Sequence, residues 1–197
     1  MIWCSNMCVQ SMDEAPAPWF PAWGIKFNEV ITDPRLTAAM LLQNRKDERW
    51  LLLGNPTVVS ERNLWAAWLA LRERVISDKM VSKSLDGEFM RLIAGTHQMS
   101  VAFNRSGIQT GDQQAWLIRI PEWSDFDIDE MELPSYNGEN DDDAYELMNW
   151  IEAEILPIRP SPSLGSLDRL GINYDQNNED INIEKLVLTH TAIVDVD

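Results

Sequence analysis

Few residues in this 197-residue chain have the type and spacing to do chemistry. The two histidines, His97 and His190, stand at no zinc-type spacing from a second ligand. Cys4 and Cys8 have no His or further Cys nearby, so they read as two thiols rather than part of a metal site or a disulfide framework. Asp141-Asp142-Asp143 offers oxygens that suit Mg²⁺ or Ca²⁺, but it lacks the spaced ligands and closing Glu of a calcium loop. A solvated face is the ordinary reading of such a run. No nucleophile elbow, P-loop or dinucleotide fingerprint occurs. Gly95-Thr96-His97-Gln98 shares with a phosphate-cradling turn only a Gly before a helix start, which is also the signature of a helix cap. The expectation is a binding protein, not an enzyme, with no cofactor and no metal.

Charge points to what it could bind. The net is −16, yet residues 1–119 hold 13 Lys and Arg against 12 Asp and Glu, and residues 120–197 hold 3 against 20. Overall acidity opposes a dedicated nucleic-acid binder, because phosphate contacts need cations. The N-terminal part escapes that objection. Its window Arg62–Arg105 holds seven cations and four acids, which fits either a solvated helical surface or RNA-backbone contact. No apolar run approaches the ~20 residues needed to cross a bilayer, and the N-terminus lacks the pattern of a signal peptide, so a cytoplasmic protein without a membrane partner is expected. Nine Trp suit a packed core, with an interface as the other use.

The elements that would hold these residues follow from periodicity and caps. Residues 1–24, with Pro16, Pro18 and Pro21, read as an irregular N-terminal extension, and 25–197 as a single domain. Ile25–Ile31 alternates as a strand, Asp33-Pro34 starts a helix, and Arg49–Gly54 is a buried strand. Ser60 caps a helix over Glu61–Ile76 with Leu64, Trp68, Leu71 and Val75 on one face. Ser84 caps a second helix ending at a left-handed Gly95, and Thr96 caps a third that runs to Gly107. Gln114–Ile120 is a strand ended by Pro121. Residues 125–143 form an acidic insertion, Ala144–Ile155 a helix, and Leu186–Val196 a closing strand that contains His190. The sum is an α+β domain: a mostly antiparallel sheet of about four strands packed against helices.

Several of these segments resemble one family. Ser84-Leu85-Asp86-Gly87-Glu88-Phe89-Met90-Arg91-Leu92-Ile93-Ala94-Gly95-Thr96-His97-Gln98-Met99, followed by a helix ending in Ser106-Gly107-Ile108, is similar to the signature of the kinase-binding accessory subunit of the KEOPS complex, the TPRKB family. Val59-Ser60-Glu61-Arg62-Asn63-Leu64 looks like that family's helix entry, with Ala66, Ala67, Ala70 and Leu71 like its continuation. Leu170-Gly171-Ile172 and Glu184-Lys185-Leu186-Val187-Leu188, leading to Ala192-Ile193, resemble its C-terminal pattern. The resemblance spans two blocks, roughly 50–120 and 167–195. His97 stands where the family usually has Arg, and Asn63 where it often has His.

The resemblance implies a subunit without an active site, bound to the kinase-like ATPase of KEOPS. It also implies help in recruiting tRNA by its 3′ CCA end for threonylcarbamoyladenosine synthesis next to the anticodon. The RNA-contact candidates are Arg62 and Gln98, which match family positions, with Lys83, Arg91 and His97 added on charge and proximity in sequence. Ala102, Phe103, Leu188 and Ile193 are the partner-contact candidates. Two alternatives stand beside this reading. One is a free-standing RNA-binding module, and the other an enzyme using His97 with nearby acids for general acid/base work.

Overall fold

Asp33 shows how literally local chemistry is obeyed in this chain. In a computed structural model that describes residues 17–123, 135–176 and 180–195, its carboxylate accepts from the backbone N–H of Arg35 (3.0 Å) and Leu36 (3.2 Å), and Pro34 opens the helix. The elements are β1 (Ala22–Phe27), α1 (Pro34–Asn44), β2 (Trp50–Gly54), α2 (Glu61–Ile76), α3 (Leu85–Ile93), α4 (Met99–Ser106) and β3 (Gln114–Arg119). They continue with α5 (Asp141–Trp150), β4 (Ala153–Leu156), α6 (Leu164–Leu170) and α7 (Ile183–Ala192), and single 3₁₀ turns cover Asn55–Thr57 and Ile193–Asp195. The sheet has the order β2-β3-β1-β4, and every pairing is antiparallel. The chain is one α+β domain with this sheet packed against helices, as its sequence pattern implies.

Strand alternation gives each face of the sheet its own core. Leu51, Leu53, Trp116 and Ile118 join Leu64, Trp68, Leu71, Phe89, Leu92 and Ile93 from α2 and α3. The intervening residues Trp50, Leu52, Ala115 and Leu117, with Ile25 and Phe27, join Leu41 of α1 and Ala144, Leu147 and Met148 of α5. A third small cluster, Val59, Leu167, Leu170 and Val187, ties α6 and α7 to the entry of α2. Trp65 and Trp68 are both core residues, and their indole N–H groups donate to the carbonyls of Pro18 and Pro121.

Three expectations are corrected. The first strand begins at Ala22, not Ile25, and ends at Phe27. Ala22 and Gly24 belong to it, paired with Ile118 and Trp116 of β3, and Gly24 is held small by close approach: a Cβ there would meet Ile158 Cγ1 at 2.6 Å. The helix placed over Ala144–Ile155 stops at Trp150. Glu152 takes a left-handed φ of 53°, and Ala153–Leu156 turns back as β4 along β1.

The third correction is the largest. Residues 186–195 of the expected closing strand are not a strand, and Val196 lies outside the described residues; Ile183–Ala192 is helical, with Asn182 accepting from Lys185 N–H at 2.9 Å. Val187, Thr191 and Val194 are buried, at spacings of four and three, which is a helical period. Packing against α2 overrides the β-propensity of Val, Ile and Thr. His190 and Leu188 are therefore helical positions, and Ile193 lies in the 3₁₀ turn.

Of the acidic insertion, residues 125–134 lie outside the described residues. Its end is tied down: Asp141 accepts from Trp23 Nε1 at 3.0 Å, and Asp143 pairs with Lys46 at 2.5 Å. No helix among the described residues is long and apolar enough to cross a membrane.

Candidate partner and nucleic-acid interface

The α3–α4 hairpin is organised around one buried carboxylate. Ser84 occupies the N-cap position of α3, although its hydroxyl makes no capping bond. One turn on, Glu88 is fully buried. Its Oε2 accepts from the backbone N–H of Val81 (3.1 Å) and Ser82 (2.7 Å). Its Oε1 accepts from Arg74 (3.1 Å) and Arg91 (2.5 Å). Burial pushes its pKa up, but the bonds from Arg91 and Ser82 and the two guanidinium charges outweigh it, so the net shift is downward. The cluster pins the loop before α3 to α2.

Arg91 continues this network toward the next turn, donating from Nη1 to the Thr96 carbonyl at 3.0 Å. It is also fully buried, which corrects its place among the RNA-contact candidates. The same guanidinium cannot hold Glu88 inside the fold and meet a phosphate outside it. Gly95 follows with φ 62°, the left-handed cap its position implies. It is required a second time by close approach, because the His190 ring from α7 lies where a Cβ would be. His190 Nε2 is 3.1 Å from the Ala94 carbonyl. Burial lowers its pKa, with the charge of Arg105 adding to the effect and the Ala94 bond opposing it. Arg105 reaches the same carbonyl at 3.3 Å. The next helix starts two residues later than expected: Thr96 Oγ1 accepts from Gln98 N–H at 3.2 Å, and Gln98 itself is the N-cap position.

The remaining RNA candidates do not form one constellation. His97 and Gln98 are exposed on the α3–α4 turn. Lys83 is exposed at the opposite end of α3, and nine helical residues at 1.5 Å each put that end about 14 Å away. Arg62 is half-buried on α2 and pairs with Glu184 of α7 at 3.5 Å. The partner candidates divide as well. Phe103 and Ile193 are 55% and 56% exposed, and Leu188 is half-buried. Ala102 is fully buried in the core, so it supports α4 rather than presenting a contact.

Two features of this surface were missed in the sequence. Arg105 and His190 both converge on Ala94, and only the helical period of α7 could have signalled the second. Leu69 and Ile76, seven residues apart on α2, are 55% and 64% exposed. They extend the row that begins at Arg62, because residues seven apart share a helix face. No cluster of metal-ligating side chains occurs among the described residues. No protein-family model matches the chain, and no curated protein matches it.

Proposed function

We propose that the chain is a non-catalytic accessory subunit of a KEOPS complex, docking on the complex's kinase-like ATPase and helping to recruit tRNA by its 3′ CCA end. The observation that carries this reading is where the two family-like blocks meet. They are separated in sequence by β4 and the acidic insertion, yet α2 packs on α3 and α7, α3 on α4, and α4 and α7 on α6. Residues that carry the resemblance lie at the seams: Asn63 Nδ2 donates to Thr191 Oγ1 at 3.1 Å, and Gly95 receives His190. A resemblance read from two distant stretches thus falls on helices that touch one another, α2–α4 with α6 and α7.

That group offers large apolar side chains to a protein partner: Phe103, Leu69, Ile76 and Ile193. An aromatic at the centre of an interface is a frequent hot spot, so Phe103→Glu should weaken kinase binding by about 2 kcal/mol or more. The test is gel filtration of the chain mixed with the kinase-like subunit from the same organism. A 1:1 complex that Phe103→Glu weakens, without a change in melting temperature, is the expected result; separate elution of the wild-type proteins overturns the proposal.

For tRNA, His97 and Gln98 on the turn are the contacts retained, with Arg62 and Lys83 as flanking cations. Single-stranded ends are held by cation tracks and stacking, and the few cations left at this surface suit only a weak site. Titration of tRNA with and without its CCA end should show tighter binding of the intact form. Equal affinities would remove the CCA end from the proposal.

A further inference from the structure

A groove of about 400 Å³ lies between α5, the start of β1 and the end of β4. Trp19, Trp23, Tyr136, Tyr145 and Ile158 line it, with Asp141 among them. Trp19 meets Tyr136 edge-on with ring centroids 5.4 Å apart, and meets Trp23 edge-on at 6.3 Å. Trp23 Nε1 and the Tyr136 hydroxyl both donate to Asp141, one to each carboxylate oxygen. An acceptor-only carboxylate is thus fixed beside aromatic faces. The groove runs along β4, which is an edge of the sheet with β1 as its ladder partner. Glu154 and Ile155 of that strand are exposed.

Charge decides what fits. Glu139, Asp142, Glu146, Glu152 and Glu154 are exposed on the elements around the groove. The nearby cations are already engaged. Arg159 pairs with Glu61 and donates to the carbonyls of Phe20 and Ala22, Lys46 pairs with Asp143, and Lys26 stands opposite Glu154 in the ladder. The chain's own remaining segments are poor occupants: residues 1–16 carry two acids and residues 124–134 carry five, with no Lys or Arg in either. A second copy, at −16, would bring more negative charge. Nucleic acid is repelled for the same reason.

We propose that this groove and the β4 edge form a docking site for an extended, basic segment of a partner protein. The segment adds as a strand to β4, so that main-chain bonds supply affinity. Arg159 already lies over the Trp19 ring at 5.8 Å, so an Arg or Lys side chain of the segment lies against the exposed rings of Tyr136 and Tyr145 with its charge toward Asp141, which gives the choice of sequence. The site does not rest on the kinase and tRNA proposal: its lining comes from β1, β4, α5 and the segments beside them, and it touches α2 where Arg159 pairs with Glu61.

The probe is an acetylated, amidated Val-Arg-Val-Arg-Val peptide, titrated into the full-length chain with tryptophan fluorescence as the readout. The control is Val-Gln-Val-Gln-Val. The Arg peptide should bind at least about fivefold more tightly, and Asp141→Asn should remove most of that difference. Asp141→Asn keeps an acceptor for Trp23, and an unchanged far-UV spectrum reports that the fold is intact. Hydrogen exchange should show new protection at Ala153–Leu156 in the presence of the Arg peptide. Equal affinity of the two peptides, an undiminished Arg preference in Asp141→Asn, or protection that appears elsewhere would each overturn the proposal.

Discussion

The two faces of the sheet handle charge in opposite ways. Over the α2–α4 face, charge is inside: Glu88 and Arg91 are fully buried, and Arg74 is 9% exposed. Arg105 and Arg169 reach inward to the carbonyls of Ala94, Arg105 and Gly107. Over the α1–α5 face the acids are mostly outside and the interior cluster is apolar throughout, as where Trp23 stacks on Trp50 at 5.5 Å. The positive balance of the N-terminal part therefore overstates its cationic surface. Much of that charge positions α3, α4 and the loops between them. Local net charge read from sequence counts cations that structure has already used.

The comparison breaks most severely at Glu88. Glu88→Gln leaves two guanidiniums inside the fold without their counter-charge and should cost about 3–5 kcal/mol in urea unfolding. The acid limb of stability should change with it. The folded pKa is depressed, so the stabilisation is present above the unfolded carboxylate value of about 4.3 and is lost as pH falls through the folded value. In Glu88→Gln that part of the acid loss should disappear. A loss below about 1 kcal/mol would mean that the network contributes little to stability.

Gly95→Ala should be next in size, at about 2 kcal/mol, because a Cβ is strained at this φ and also meets the His190 ring. In a His190→Ala background the contact part should vanish, leaving only the backbone strain. Burial favours neutral His190 in the folded state. Its contribution is then complete above the unfolded value of about 6.5 and declines as pH falls below it. Stability curves of wild type and His190→Gln that stay parallel from pH 7 to pH 5 would contradict that role.

The same contrast explains what was legible. Positions whose structure follows from local chemistry were read directly: the Asp33 and Ser60 caps, the bounds of α2, the end of β2 at Gly54, and the left-handed Gly95. The order of elements through α5 also emerged, because apolar periodicity reports it, whereas β4 and α6 did not. What failed depended on partners distant in sequence. The β-branched run after Leu186 is helical because α2 offers Val187 and Thr191 a place to pack. Glu152 and Glu154 alternate with Ile151, Ala153 and Ile155, but the acids and Ala made a strand look like the end of a helix. Arg91 read as a surface cation because nothing local announces that Glu88 is buried below it. The aromatic groove was hidden because Trp19 follows a proline and meets Tyr136, and Trp23 shares Asp141 with that tyrosine, only through folding.

On the α1–α5 face the expected effect is smaller and local. Asp33→Ala removes the acceptor for two backbone N–H groups and should cost about 1 kcal/mol. Asp33→Asn or Ser should recover most of it, since both can accept. Hydrogen exchange should show faster opening at the start of α1 while the α2–α4 amides are unchanged. Equal acceleration on both faces would mean that the two helical layers unfold as one unit.

The smallest effect on stability is expected at Arg62, and it separates the two uses of an arginine on this face. Its ion pair with Glu184 spans 3.5 Å, and both side chains are partly solvated, at 31% and 23% exposure. Pairs of this kind contribute about 0–1 kcal/mol, so Arg62→Gln should barely move the unfolding midpoint. Binding responds differently if Arg62 also meets tRNA. Loss of one phosphate contact should lower the slope of log affinity against log salt by about one unit, whichever tRNA is used. Glu184→Gln supplies the counter-test, because it removes one charge that pairs with the guanidinium and would repel phosphate. It should raise tRNA affinity at low salt with little change in stability. A fall in stability of about 2 kcal/mol in Arg62→Gln with an unchanged salt slope would place Arg62 beside Arg74 and Arg91, as a cation that serves the fold and not the surface.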